Sequence, residues 1–179
     1  MFERKGGRMD VGDKSALTGV LFDPLGDLLA EQAQVDVLVQ DFSEDVWDRG
    51  ASYCTTWKLK DVIAHIGLFD YCAAELMAGR GRAVNEVSHG FSDSDDHFRI
   101  AYWQGKPGSE ILSWWRLQRE RMIRAFMDGG PKARVPWAPG IPPMSARSLV
   151  SARLMELWAH SGGIYGALGM GAIVKGRIA

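Results

Sequence analysis

One stretch of the sequence, residues 144–169, limits what the chain can fold into more than any other. Between residues 149 and 168 nearly every side chain is apolar or small, and Arg153 and Glu156 are the only charged residues. A helix that is apolar on every side is a buried helix. A buried charge needs an ion pair, a hydrogen bond or a metal ion as its partner. We therefore expect a buried helix that carries a polar site.

The ionisable residues of this stretch lie on one helical stripe. Arg153, Glu156 and His160 are spaced at i, i+3 and i+7, and residues one turn apart have Cβ atoms roughly 5–6 Å from each other. We interpret Glu156 and His160 as half of a metal site. The alternative is a buried Arg153–Glu156–His160 cluster that only holds helices in register, since arginine and glutamate at this spacing pair readily.

The composition argues against several classes of protein. The net charge of −1 over 179 residues gives no support for binding to nucleic acid or to a membrane surface. No apolar run approaches the roughly 18 residues of a membrane span, and Cys54 and Cys72 lack the spacing of a zinc or redox motif. The first residues contain no apolar signal segment. We expect a single domain in a reducing cytoplasm.

Four long helices are predicted from apolar residues at helical spacing, over residues 23–42, 58–77, 109–130 and 145–169. Asp23, Ser109 and Ser145 are their predicted N-caps. A long irregular connection, with one short helix near residues 97–103, joins the second helix to the third, and there is no convincing β-hairpin signal. These features predict an all-α four-helix bundle over residues 19–170, between a flexible leader (residues 1–18) and a short tail (residues 171–179).

The second and third predicted helices carry further candidate residues. His65 lies on the apolar stripe of the second helix, where a histidine taken alone is usually a hydrogen-bonded core residue. Asp70 lies off that stripe, and we expect it to face solvent or to cap a neighbouring element. Arg119 lies on the apolar stripe of the third helix. An inward arginine either binds an anionic group of a substrate or pairs with a buried carboxylate, and the second role is favoured.

His65, Glu156 and His160 together form a set of metal ligands. Bundle cores build metal sites from facing helices that each project one or two ligands. Two imidazoles and one carboxylate leave an open coordination position, which fits catalytic zinc and also a non-haem Fe(II) site. The ligand types alone do not choose between these ions.

Two segments resemble a known family. Residues 57–70, WKLKDVIAHIGLFD, resemble the "W-T-x-x-D-x-x-x-H-L" segment of the mycothiol-dependent maleylpyruvate isomerase family, a branch of the DinB-like four-helix bundles. Residues 135–169, VPWAPGIPPMSARSLVSARLMELWAHSGGIYGALG, resemble that family's "PW…MS…R-x-M-E-x-W-A-H-G-x-D-I-x-x-A-L-G" segment. With the helix spacing, the resemblance covers about residues 25–169.

The resemblance implies a metal-dependent enzyme of the isomerase or thiol S-transferase kind. By motif position, His65, Glu156 and His160 would hold the family's divalent metal, usually zinc, with nickel or ferrous iron as alternatives. The open metal position would bind the thiolate of mycothiol, which adds to a small electrophilic substrate. Arg153 and Arg119 are the candidate catalytic residues, Arg153 either orienting Glu156 or meeting an anionic substrate. The alternative is a non-catalytic metal-binding or structural bundle.

The sequence departs from the family pattern at several positions. Lys58 replaces the threonine after Trp57, so the usual capping arrangement with Asp61 is lost or replaced. Gly163 replaces an aspartate that could support the ligand histidine. The chain ends at Ala179, and we expect the family's C-terminal domain to be absent. Maleylpyruvate isomerisation itself is therefore not expected, and a homodimer through the surface left bare is an alternative.

Overall fold

The computed structural model describes residues 24–52, 56–82, 84, 103, 105–137 and 140–170. The predicted leader and tail, the predicted N-cap at Asp23 and nearly all of the short helix predicted near residues 97–103 lie outside these residues. The four long helices predicted from the sequence lie within them.

The described residues are mainly helical, which confirms the predicted all-α class. The four long helices agree with their predicted bounds to within a few residues, and a one-turn helix that the sequence analysis did not predict follows the first. None of the helices in this part of the chain combines the length and the apolarity needed to cross a bilayer. The helices are α1 (Leu25–Val39), α2 (Glu44–Trp47), α3 (Leu59–Met77), α4 (Gly108–Gly129) and α5 (Ala146–Ala167).

The starts of two helices show when a cap can be predicted from nearby residues and when it cannot. Ser145 caps α5 as predicted, because its Oγ accepts a hydrogen bond from the Ser148 N–H at 3.0 Å. Ser109 is not the N-cap of α4, since that helix already includes Gly108. The Glu44 carboxylate of α2 accepts instead from the N–H groups of Gly108, at 2.9 Å, and Ser109, at 3.5 Å. A partner this distant in sequence leaves no local signal for the helix start.

Two glycines let tryptophan rings pack directly against helix backbones. A Cβ atom at Gly108 would collide with the Trp47 indole, and a Cβ atom at Gly67 would collide with the Trp114 indole. Glycine avoids both collisions because it has no side chain. The first contact fixes α2 against the start of α4, and the second brings α4 close to the middle of α3.

A small antiparallel sheet precedes α5, although the sequence showed no convincing hairpin signal. It consists of β1 (Arg134–Val135) and β2 (Met144–Ser145). Each strand has only two residues, too few for the alternation of apolar and polar residues by which strands are recognised. The sheet fixes the chain directly before the first turn of α5.

Asp70 is buried, so the expectation that it faces solvent or caps a neighbouring element is wrong. Its carboxylate accepts hydrogen bonds from Gln32 Nε2 of α1 at 2.9 Å and from Trp115 Nε1 of α4 at 3.0 Å. It also accepts from Nε and Nη2 of Arg153 of α5, at 3.2 and 3.1 Å. The prediction failed because α3 packs against both α4 and α5, which buries positions off its apolar stripe. These four side chains, the Asp70 network, join all four long helices.

Candidate metal centre

The structure brings together the three residues that the sequence analysis predicted as metal ligands. His65 projects from α3, and Glu156 and His160 project from α5. Oε2 of Glu156 lies 3.5 Å from Nε2 of His65 and 3.3 Å from Nε2 of His160. One ligand atom from each residue can be chosen so that all three lie within 4.8 Å of one another. We call these residues the triad.

The two distances from the Glu156 carboxylate fit the coordination shell of a small divalent ion. Around tetrahedral zinc with ligands at 2.0–2.1 Å, two ligand atoms are about 3.3–3.4 Å apart. The two distances from the Glu156 carboxylate, 3.5 and 3.3 Å, are close to that value. Three such ligands leave a fourth position for water or substrate. The donor set and its spacing are therefore compatible with a catalytic zinc site.

The protonation states of the triad also suit metal binding. Burial lowers the pKa of His65 to about 4 and also lowers the pKa of His160. The adjacent His65 imidazole is the main influence that lowers the pKa of Glu156. At neutral pH the site therefore presents two neutral imidazoles and one ionised carboxylate. These are the forms in which histidine and glutamate bind metals.

Aromatic rings enclose one side of the triad. The Trp57 ring stacks on His160 with centroids 5.7 Å apart and lies 5.0 Å from the His65 ring. The Phe69 ring lies 4.8 Å from His65 on the same helix. Only 2% of the His65 side chain is exposed, against 25% of His160 and 35% of Glu156. A small molecule would therefore reach the triad from the side of Glu156 and His160.

Trp57 and Phe69 lie at the site although no role was predicted for either from the sequence. Phe69 follows His65 by one helical turn and lies on the same apolar stripe, so its contact with that ring could have been inferred. Trp57 precedes α3 and belongs to no helical stripe. Its position against two histidines depends on how the connection before α3 folds, which residue spacing does not reveal.

The start of α3 keeps part of the capping arrangement that Lys58 was expected to disturb. The Asp61 carboxylate accepts a hydrogen bond from the Lys58 backbone N–H at 2.8 Å. That bond comes from the backbone and needs no particular side chain at residue 58. It is therefore kept although Lys58 stands where the resembled family segment has a threonine. Asp61 lies one turn before His65, and this bond helps to fix the first turns of the helix that carries the histidine.

The glycines near the end of α5 lie against the segment that precedes α3. The Ser52 N–H donates to the Gly163 carbonyl at 3.1 Å, and a Cβ atom at Gly163 would lie 3.5 Å from the Ala51 Cβ. A Cβ atom at Gly166 would lie 2.6 Å from Ser52 Oγ. A Cβ atom at residue 163 would therefore meet Ala51 in ordinary van der Waals contact, whereas one at residue 166 would collide with Ser52.

Arg153 lies next to the triad but does not hydrogen-bond to Glu156. Its guanidinium donates to Asp70, as described above, and to the Ile66 carbonyl at 3.2 Å. It also lies over the Phe69 ring, 5.4 Å from its centroid. The alternative cluster of Arg153, Glu156 and His160 therefore differs from the observed arrangement, because the arginine's carboxylate partner is on α3 rather than on its own helix.

Arg119 is placed at the boundary between α1 and α4. Its Nη2 atom lies 2.7 Å from Asp36 Oδ2, and its guanidinium lies over the Trp115 ring at 5.1 Å. Arg116 pairs with the same carboxylate. Burial raises the pKa of Asp36, but the two arginines more than offset this and lower it overall. These contacts match the second role expected for Arg119, pairing with a carboxylate.

Comparison with known proteins identifies the family. The family model described as mycothiol maleylpyruvate isomerase N-terminal domain matches residues 28–162. Two uncharacterized proteins of Mycobacterium tuberculosis, MT0041 of strain CDC 1551 / Oshkosh and Rv0036c of strain H37Rv, are each 31% identical to the chain over 156 residues. That alignment covers 82% of this chain and 56% of each relative, so the chain spans about half the length of these relatives.

No solved structure showed a significant match to the chain. The family match nevertheless covers most of the sequence, and it includes His65, Glu156 and His160. The chain belongs to the family of mycothiol maleylpyruvate isomerase N-terminal domains.

Proposed function

We propose that the chain binds a divalent metal ion through His65, Glu156 and His160 and uses it to activate a low-molecular-weight thiol. Zinc is the expected ion, with nickel or ferrous iron as alternatives. The observation that carries the proposal is the position of the Glu156 carboxylate, within 3.5 Å of the imidazoles of two histidines on two different helices. Such an arrangement fits a metal site. The family match is a second, independent support for the proposal.

The family's description supports mycothiol as the thiol. A bound divalent ion would favour the thiolate over the thiol at neutral pH. Glu156 and His160 form the exposed side of the triad, so the thiol and a small electrophile would approach there, while Trp57 and Phe69 keep water from the other side. The thiolate would add to the electrophile. Rotation about the resulting single bond and loss of the thiolate would isomerise the substrate, whereas uptake of a proton would leave the sulfur group on the product.

The first test is the metal content of the protein purified without a histidine tag. Elemental analysis should find about one divalent ion per chain in the wild type, and much less in His65→Ala and Glu156→Ala. Glu120→Ala is the matched control, because Glu120 is exposed on α4 and pairs with Arg124 of the same helix. Equal metal content in the wild type and the two triad variants would remove the site.

A non-catalytic metal-binding or structural bundle is the alternative. It is favoured by Gly163, which stands where the resembled family segment has an aspartate and supplies no side chain to support His160. A panel of small electrophiles with mycothiol as the thiol separates the two functions. Turnover that requires both mycothiol and the metal would establish catalysis, whereas a metal-loaded protein without turnover on any electrophile would favour the bundle.

A further inference from the structure

We propose that Asp70 and Arg153 are positioning residues of the metal site. The pair lies between α3 and α5, the two helices that supply the triad. Arg153 is one helical turn before Glu156, and it donates to the carbonyl of Ile66, the residue that follows His65. The hydrogen bonds therefore join the two helices within about one and a half turns of their ligands. This inference rests on the proposed metal-binding function.

The burial of the pair argues for positioning rather than contact with substrate. The exposed fraction of the side chain is 4% for Arg153 and 0% for Asp70. The Nη1 atom of Arg153 is buried as well, so the guanidinium presents almost no surface to a molecule that arrives from solvent. A buried arginine held by two acceptors on one neighbouring helix restricts how that helix can slide or turn. Arg153 thus acts on the metal site through the position of α3.

Asp70 adds a restraint on the rotation of α3. Its carboxylate receives hydrogen bonds from Trp115 on α4 and Gln32 on α1, in addition to Arg153 on α5. All of these partners are donors, which is the arrangement that an ionised carboxylate requires. Complete burial raises the pKa of Asp70 overall, although Arg153 and the Trp115 N–H act in the opposite direction.

A metal site is sensitive to restraints of this kind. Functional side chains must be held within about 0.5 Å of their working geometry. His65 is the only triad residue on α3, so a rotation or a slide of α3 moves one ligand and leaves the other two in place. The loss of residues that orient metal ligands typically lowers metal affinity by roughly 10- to 100-fold.

The test compares Asp70→Asn with Asp36→Asn in the full chain. Both changes neutralise an aspartate that pairs with arginine between helices, but Asp36 joins α1 to α4 and lies outside the α3–α5 pair. Zn²⁺ affinity is measured by competition with a chromophoric chelator, and the Co²⁺ visible absorption spectrum reports the coordination geometry. We expect Asp70→Asn to weaken Zn²⁺ binding by roughly 10- to 100-fold and to alter the Co²⁺ spectrum.

Asp36→Asn should keep both the wild-type affinity and the wild-type spectrum. Wild-type affinity and spectrum in Asp70→Asn would overturn the positioning role and leave the metal site intact. A wild-type protein that binds no Zn²⁺ would instead overturn the proposed function, and the positioning role with it. If Asp70→Asn does not fold, Arg153→Lys decides the question. Lysine keeps the positive charge but lacks the planar guanidinium that donates to Asp70 and to the Ile66 carbonyl together. An unchanged Zn²⁺ affinity in that variant would overturn the proposal.

Discussion

Oε2 of Glu156 lies 3.5 Å from Nε2 of His65, across the contact between α5 and α3. The same oxygen lies 3.3 Å from His160, so a single carboxylate is adjacent to both imidazoles of the triad. Arg153, one turn away on the helix of Glu156, forms its ion pair with Asp70 of α3. Two contacts between the same helices, one around the triad and one beside it, therefore define how α3 and α5 meet.

Acidification should destabilise the metal-free protein. The pKa of His65 is about 4 in the folded chain, against an ordinary value of 6.5, so between these values the unfolded chain binds more protons and stability falls as the pH falls. The lowered pKa values of Glu156 and His160 act in the same direction. The shift at His65 alone corresponds to a loss of up to about 3 kcal/mol.

Urea denaturation in the presence of a chelator, at a pH above 6.5 and near 4, measures this loss. His65→Gln removes the titrating group and should flatten the dependence on pH. A wild-type protein whose stability is the same at both pH values would contradict the account of the buried neutral imidazole.

Asp70→Asn should destabilise the fold far more than Asp36→Asn. Neutralising Asp70 leaves the buried Arg153 charge without a counter-ion, which costs about 3–5 kcal/mol. Asp36 pairs with arginines that are 20% and 41% exposed, so its loss should cost about 1 kcal/mol or less. Chemical denaturation of both variants at neutral pH measures the difference. Similar losses in the two variants would show that the Asp70 network is no more important than the partly exposed pairs of Asp36.

Gly67→Ala should destabilise the protein, whereas Gly26→Ala should not. A methyl group at residue 67 would collide with the Trp114 ring, while nothing lies within 4 Å of the corresponding position at Gly26. The expected loss for Gly67→Ala is about 1–3 kcal/mol. Gly26 is exposed within α1, where alanine is expected to stabilise by about 0.4–1 kcal/mol. Thermal denaturation of the two variants provides the measurement. A Gly67→Ala variant with wild-type thermal stability would contradict the tight α3–α4 contact.

Trp57 should report on metal binding through its fluorescence. Its ring stacks on His160, so Co²⁺ or Ni²⁺ in the triad would quench its emission. Replacing it by phenylalanine should reduce the metal-dependent quenching, whereas the same change at Trp137, which is 45% exposed and belongs to neither α3 nor α5, should not. A titration of the wild type and the two variants with Co²⁺ tests this. Equal quenching in all three proteins would place the metal away from Trp57.

Much of the fold could be predicted because its long helices have regular stripes and clear ends. The apolar spacing of α3 located His65 on an inward face, and the near absence of charge in α5 identified Glu156 and His160 as exceptions. The Ser145 cap could be recognised because its partner is three residues away. Each of these features depends on residues close together in the sequence, where helical geometry is enough to relate them.

The features that could not be predicted depend on contacts between distant segments. Asp70 lies off the apolar stripe of α3 and was expected to face solvent or to cap a neighbouring element. Three other helices instead supply its hydrogen-bond donors. Arg153 has Glu156 one turn away on α5, but it pairs with Asp70 of the neighbouring helix α3. The cap of α4 comes from Glu44, in a one-turn helix far upstream. Helical spacing does not show which side of a helix a neighbouring helix covers.

An anomalous-scattering map from crystals grown with Zn²⁺ would test the central claim most directly. The account predicts a peak at the zinc absorption edge about 2.0–2.2 Å from Nε2 of His65, Nε2 of His160 and a carboxylate oxygen of Glu156. A map without a peak between these three residues, or with its only peak elsewhere on the protein, would contradict it.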